Sequence, residues 1–314
     1  MHGKILGDLQ VVRTGADWIF FLPMIPAQPS HTAFRVARHR AAHQLLDHPR
    51  VFDDPLAVPI LGAEVAAQLR ADPASEEGGI LAPYLRAFFA VRHRFVEDQL
   101  AAGRVAGVRQ YVILGAGLDT FAYRVPAGPG ALHVWEVDHP ATQAWKRERL
   151  QETGIAEPPN LSFVAVDFEH QSLPAALAGA GLDLEAGAVF CWLGVTPYLT
   201  RPAIFETLRF VALATRHGGG VAFAYAIAPR LLSVLQRIVY ETMAAKVKAA
   251  GEPWQSSFDP EELTAALHEL GFAIVDDVPP ETLNARYFAN RTDGMHIGGL
   301  AHMMWAGSTP MSPG

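Results

Sequence analysis

The chain has 314 residues, a formal net charge of −7, and 50% hydrophobic and 18% charged residues, with a mean hydropathy of +0.13. Such a chain can bury a large core, and without a positive field it offers nothing to nucleic acid or to an anionic membrane surface. A single cysteine, Cys191, excludes an internal disulfide and a multi-cysteine metal site; with no run of 18 apolar residues and no signal-peptide pattern, the expectation is a cytoplasmic protein.

Within residues 1–30 the apolar run Trp18 to Ile25 is too short to span a bilayer; it packs on the body of the protein, lines a substrate pocket or meets another subunit, packing being the favoured reading. From His31 to Gln44, Ala33, Val36, Ala37 and Ala41 recur at helical spacing, with Arg35, Arg38 and Arg40 between them. Phe52-Asp53-Asp54-Pro55 is a turn in which Asp caps the segment that follows, Leu56 to Leu61. Glu64 to Leu69 continues as helix before Ala71 to Gly79, which is expected to be flexible. A longer helix over Pro83 to Ala102, ending at Gly103, contains Arg92, His93 and Arg94. An arginine there is either a surface charge or a bidentate receiver of a ligand carboxylate.

The most informative stretch is Gln110 to Arg124. Tyr111 to Leu114 is a strand buried on both faces. It breaks into Gly115-Ala116-Gly117, a turn that a ligand can approach closely. Leu118 to Tyr123 reads as the start of a helix whose free N–H groups favour anions. Together these describe a nucleotide-type cofactor site at the carboxyl end of the first strand of an open α/β sheet. A dinucleotide fingerprint would carry a third glycine at position 120. Thr120 stands there instead, which lowers the NAD reading and leaves other nucleoside ligands open, S-adenosylmethionine first among them.

The second strand, Leu132 to Val137, leads to Glu136 and Asp138, two apart and so on one side of an extended chain. About 20 residues past a glycine turn is where an acidic side chain holds ribose hydroxyls. A helix over Ala141 to Gly154 follows, and the third strand, Leu161 to Val166, ends at Asp167-Phe168. That pair either meets an adenine ring or caps a short helix beginning near Ser172. The fourth strand, Ala188 to Trp192, runs into Leu193 through Leu199, then Thr200 as N-cap of a helix to about His217. Val221 to Ile227 is a fifth strand, Leu231 to Ala250 a helix covering the pocket, Asp259 the opening of a helix that stops at Gly271, and Phe272 to Val275 and Leu300 to Ala306 the last strands. The layout predicts an α/β, Rossmann-like sheet of about seven strands, mostly parallel with an antiparallel edge. The N-terminal helical segment is residues 1–105, and the core is residues 106–314 with a helical insertion around 229–257.

Several segments in register, over roughly residues 30–200, carry a specific likeness: Thr32 to Ala41, Phe52 to Ala57, Val112 to Arg124, Trp135 to Pro140, Lys146 to Leu150, Val166 to Phe168 and Trp192 to Leu199. With them the chain resembles the leucine carboxyl methyltransferase family, in particular its bacterial branch of S-adenosylmethionine-dependent O-methyltransferases, many of which act on small molecules. The resemblance implies a class I methyltransferase fold, with Gly115, Ala116 and Gly117 against the methionine portion of the cofactor. Asp138 would hold the ribose with Glu136 supporting it, Asp167 and Phe168 would bracket the adenine, and Arg92 would receive the cofactor carboxylate, with Arg94 competing. Tyr198 is similar to a tyrosine near the acceptor carboxylate. Relatives often carry Glu where this chain has Leu193, so the methionine amino group needs another acceptor, such as a backbone carbonyl near Leu114 or Gly115.

None of the 13 histidines has a spacing that marks a general base, and no metal-ligand spacing is present. The expected reaction is metal-independent O-methylation of a small molecule or peptide, a carboxylate in preference to a hydroxyl, by a monomer or homodimer. Two rivals remain. One is an NAD(P)-dependent oxidoreductase, for which a Tyr-x-x-x-Lys pair is missing, since Tyr240 is followed by Ala244 and Tyr198 by Pro202. The other is a non-catalytic S-adenosylmethionine-binding protein, motivated by Leu193.

Overall fold

Apolar runs that read as strands assemble into one sheet in a computed structural model of the chain, which describes residues 31–77, 79–166, 171–249 and 251–308. Its strands are β1 (Gln110–Leu114), β2 (His133–Asp138), β3 (Leu161–Ala165), β4 (Ala188–Trp192), β5 (Gly219–Ala226), β6 (Ile274–Val278) and β7 (Ala301–Gly307). Their order is β3-β2-β1-β4-β5-β7-β6. Pairings from β3 through β5 are parallel, while β7 runs antiparallel to both β5 and β6. Every residue of β1 and β4 is buried, as the continuous apolar runs require when helices cover both faces. Strand order reverses between β1 and β4, so the chain leaves their carboxyl ends in opposite directions and opens a crevice there.

The helices are α1 (His31–Leu46), α2 (Ala63–Ala71), α3 (Ala82–Val105), α4 (Pro140–Thr153), α5 (Leu173–Gly179), α6 (Arg201–Ala214), α7 (Val234–Ala249), α8 (Pro260–Glu269) and α9 (Pro280–Tyr287). On one sheet face, Ala87, Val91 and Phe95 of α3 pack with Tyr111, Ile113 and Val189. On the other, Ile204 and Leu208 of α6 pack with Phe190, Trp192 and Phe223. Among the described residues no helix is long and apolar enough to cross a membrane.

Two local expectations give way to tertiary contacts. Helix α3 does not stop at Gly103 but runs to Val105. Gly103 is where the helix crosses β4, and a Cβ there would lie 2.9 Å from Val189 Cγ2. The helix expected behind the glycine turn does not form; Leu118 to Thr120 is loop, followed by a single 3-10 turn at Phe121–Tyr123. Arg40 of α1 explains this, because its Nη1 donates to Leu118 O at 3.1 Å and so takes the carbonyl that a helical turn would use. Nor is Ala71 to Gly79 featureless: Pro73–Glu77 forms a 3-10 turn.

Arg40 belongs to a buried network that fastens α1 to the sheet. Its Nη2 pairs with Asp54 and donates to Thr120 Oγ1 at 3.0 Å. Thr120 in turn donates to Asp54 Oδ2 at 2.7 Å. Arg124, paired with Glu97, lies 3.5 Å from Asp54 Oδ1. A second lock ties α1 to α3, where Asp47 accepts from Arg86 at 2.8 and 2.9 Å and lies 2.6 Å from His43 Nδ1. Burial alone would raise the Asp54 carboxyl, but Arg40, Arg124 and Thr120 outweigh it and hold it below the ordinary carboxylate range.

Replacing Asp54 by Asn strands the buried Arg40 guanidinium, leaves Arg124 with Glu97 alone, and is expected to cost about 3–5 kcal/mol, read by urea unfolding at neutral pH. Because the folded-state carboxyl titrates below its unfolded value, its contribution is complete above that value and lost as pH falls through the folded one. The wild type therefore loses stability below about pH 4 more steeply than Asp54→Asn.

Candidate active site

The site is built where β1, β2 and β4 end. Beyond Leu114, Gly115 and Gly117 adopt φ of +72° and +47°, a region that L side chains occupy at a cost. Close approach also demands glycine at both positions. A Cβ on Gly115 would collide with Val195 Cγ2 in the segment leaving β4, and one on Gly117 would lie 3.0 Å from Ala33 Cβ of α1. The turn's amides are all engaged: Gly115 and Ala116 N–H donate to Val137 O at 2.8 and 3.1 Å, and Gly117 N–H donates to Asp138 Oδ2 at 2.6 Å. With no amide left over and no helix N-terminus behind it, the turn lacks the means by which a pyrophosphate is cradled.

Asp138 closes β2 at the crevice. Its Oδ1 accepts from His139 N–H at 2.7 Å and its Oδ2 from Gly117. Burial raises its pKa against those two amides. An ionised carboxylate has about four acceptor directions, so two stay open, enough for the paired hydroxyls of a ribose. Glu136, by contrast, is 1% exposed and has no face on the crevice. It lies 2.6 Å from Lys146 Nζ of α4 and accepts from Tyr123 OH at 3.3 Å, and burial pushes its carboxyl up to about 7. It supports Asp138 by anchoring β2, not by touching a ligand. Asp167 and Phe168 lie outside the described residues; just before them, Val166 N–H donates to Asp138 O at 2.9 Å, which brings the end of β3 to the same crevice.

Arg92 is the unusual group. It is 5% exposed, stacked 4.6 Å from the Phe89 ring centroid, and its Nε has no hydrogen-bond partner among the described residues. A Cβ on Gly194, just past β4, would lie 3.2 Å from Nη1. Burial pushes its pKa down to about 10 against opposing charges that include Asp119, so it remains a cation at neutral pH. Arg94, two residues on, pairs with exposed Asp98 at 2.8 Å and is spent at the surface. His93 is buried, and its Nδ1–H donates to Phe89 O at 2.7 Å. Its bare Nε2 then faces Asp119 Oδ2 at 3.6 Å, while Asp119 Oδ1 accepts from Phe121 N–H at 2.7 Å. Leu193 is half-buried in the apolar cluster under α3 and offers no charge. Cys191 is buried beneath it, and that burial raises its thiol.

A cavity of about 530 Å³ adjoins this crevice. Arg92, Gly194 and Tyr198 form one part of its wall, and further lining comes from α1, α3 and α7. Tyr198 sits in the 3-10 turn Thr196–Tyr198, held by Gln255, whose N–H donates to Pro197 O at 2.6 Å. Sequence reasoning singled out Arg92 and Tyr198 but not the aromatic cavity wall or Asp119; helical spacing of Tyr84, Phe88 and Arg92 on one face was the available signal for the former.

Comparison with known proteins places this arrangement. The leucine carboxyl methyltransferase family matches residues 33–212, from α1 into α6. YktD of Bacillus subtilis, a candidate S-adenosyl-L-methionine-dependent methyltransferase, is 29% identical over 298 residues, 89% of this chain and 98% of its own. A second candidate of that description, from Mycolicibacterium smegmatis, is 31% identical over 236 residues, 72% of this chain and 74% of its own. The crystal structure of a candidate methyltransferase from Thermobifida fusca shares the fold, with a TM-score of 0.50 at 17% identity, over 90% of this chain and 97% of that one.

The turn geometry is directly testable. Gly115→Ala forces a side chain into left-handed backbone and against Val195, and is expected to lower unfolding stability by about 1–3 kcal/mol in urea; an unchanged midpoint would show that the close approach is not as described.

Proposed function

Since the chain belongs to the leucine carboxyl methyltransferase family and is an S-adenosylmethionine-dependent methyltransferase, we propose that it methylates oxygen on a small molecule, a carboxylate in preference to a hydroxyl. The observation that carries the cofactor half of this reading is the buried Arg92 guanidinium, whose Nε has no hydrogen-bond partner among the described residues. An incoming anion stabilises such a group, and guanidinium matches carboxylate in two parallel hydrogen bonds.

The residues fit the cofactor part by part. Arg92 receives the methionine carboxylate. With Leu193 apolar, Asp119 takes the ammonium: its Oδ2 and the bare Nε2 of His93 are two acceptors 3.6 Å apart that lack a donor between them. Gly115 and Gly117 let the methionine chain pass close to the backbone, Asp138 holds the ribose hydroxyls, and Asp167 with Phe168 is assigned to the adenine. Bound there, the cofactor supplies a methyl group on a positively charged sulfur.

The protein's own contribution is placement. Displacement at a methyl carbon needs the acceptor oxygen in line at roughly 3 Å, and such positioning supplies several kcal/mol of the barrier. Tyr198, at the part of the cavity wall shared with Arg92 and Gly194, is the group that orients an acceptor carboxylate. A carboxylate is already ionised at neutral pH, so no residue has to remove a proton, whereas a phenol with a pKa near 10 would need a base. The nicotinamide alternative is disfavoured by the turn, whose three amides are all spent within the protein.

Two measurements check this reading. Arg92→Gln is expected to weaken S-adenosylhomocysteine binding about 10- to 100-fold by calorimetry while leaving adenosine, which lacks the carboxylate, unchanged. With isotopically labelled methyl donor, product label should be released as methanol by mild alkali, the behaviour of a methyl ester; alkali-stable label would favour the hydroxyl, and label on nitrogen or carbon would contradict oxygen transfer.

A further inference from the structure

We infer that the methyl acceptor is an amphiphilic acid, a small molecule with one carboxylate on an apolar aryl or alkyl body, and that α7 is the wall that selects that body. The inference rests on the methyltransferase reading above and concerns what fills the 530 Å³ cavity beside the crevice, a volume in the range of sites for drug-sized molecules.

Two properties of the lining converge on this class. The first is apolar character. Helix α7 has no buried residue, yet Val239, Met243 and Val247, four apart and so on one face, all line the cavity. Among the described residues that apolar face fronts the cavity in place of a packed core, and an apolar ligand completes it. Opposite it, Tyr84, Phe88 and Phe89 of α3 supply aromatic surface. The wall is built, not loose: Thr32 of α1 hydrogen-bonds Glu252 just past α7, and the Tyr240 ring of α7 meets Trp254 at a tilt of 52° with centroids 5.1 Å apart.

The second property is charge. No Asp or Glu stands among the described lining residues, and with Arg92 assigned to the cofactor carboxylate, Arg35 is the cation left among them. Arg35 and His39 come from one face of α1, and Arg35 is exposed toward solvent. Beside Arg35 and with no carboxylate in the described lining, an anion is favoured over a neutral or cationic acceptor. A hydrophilic diacid satisfies the charge but leaves the apolar walls wet, and a neutral hydrocarbon does the reverse. A peptide ending in a carboxylate would also have to lay its polar backbone against α7, whose lining residues are apolar but for Gln236 and Tyr240.

Calorimetry on the full chain tests this. S-adenosylhomocysteine is titrated first; then, in its presence, 2-naphthoate, decanoate, 2-naphthamide, succinate and a hexapeptide ending in Leu are compared. Naphthoate or decanoate is expected to bind at least about tenfold more tightly than the amide, the diacid and the peptide, a gap of about 1.4 kcal/mol. Met243→Trp, which fills the cavity, should weaken both acids about tenfold, and Arg35→Glu should weaken the acids but not the amide. Each variant should keep S-adenosylhomocysteine affinity within about threefold, which shows that it is folded and that the cofactor site is intact. In a wild-type protein that binds S-adenosylhomocysteine, acids no tighter than succinate, a peptide that outcompetes them, or variants without effect on them overturn the acceptor class and leave the methyltransferase reading standing. Absence of S-adenosylhomocysteine binding by the wild type overturns that reading and this inference with it.

Discussion

Arg40 and Asp54 hold the architecture of the site together. From the middle of α1, Arg40 reaches the Leu118 carbonyl and the Thr120 hydroxyl in the loop behind β1, and Asp54 neutralises it from the turn after α1. Guanidinium and carboxylate are both essentially excluded from solvent, a placement stable only because each has the other and Thr120 besides. The consequences spread outward. Holding Leu118 and Thr120 keeps the loop from winding into a helix, brings Ala33 against Gly117, and stands the opposite face of α1, with Arg35 and His39, along the cavity.

What the loop surrenders and what it keeps decide which ligand suits it. Amides that could have met a phosphate are turned to Val137 and Asp138, so the groups proposed to meet the ligand are side chains: Arg92, Asp119 and Asp138. These are one cation and two carboxylates, the complement of an amino acid joined to a ribose. A dinucleotide, with two phosphates and no ammonium, would find the wrong charges. The same economy explains why Glu136 is buried on Lys146, since a third free carboxylate at the end of β2 would repel Asp138.

Much of this was legible because it is local. Continuous apolar runs announced β1 and β4, and the glycine turn with Asp138 at its usual offset announced a nucleoside site. What sequence did not reveal involves partners distant in the chain. Thr120 counted rightly against a dinucleotide, but its bond to Arg40, 80 residues earlier, is not visible in the motif. Gly103 looks like a helix terminator until Val189 is found where its side chain would be. Asp276 and Asp277 look like the end of a strand, but β6 is an edge strand and carries them through. Asp277 there accepts from Tyr225 OH at 2.6 Å, with His302 Nδ1 at 2.9 Å. Arg92 and Arg94 were equivalent by composition; two residues apart on a helix they point about 200° apart, and only the packing of α3 decides which is buried.

The central claim is that an amino-acid end and a ribose are gripped at the ends of β1, β2 and β4 by Arg92, Asp119 and Asp138. A crystal structure of the protein with S-adenosylhomocysteine tests it most directly. The account predicts the ligand carboxylate on the Arg92 guanidinium through two hydrogen bonds of about 2.7–2.9 Å, with both ribose hydroxyls on Asp138. A ligand whose carboxylate points to solvent, or one seated away from the glycine turn, would contradict it.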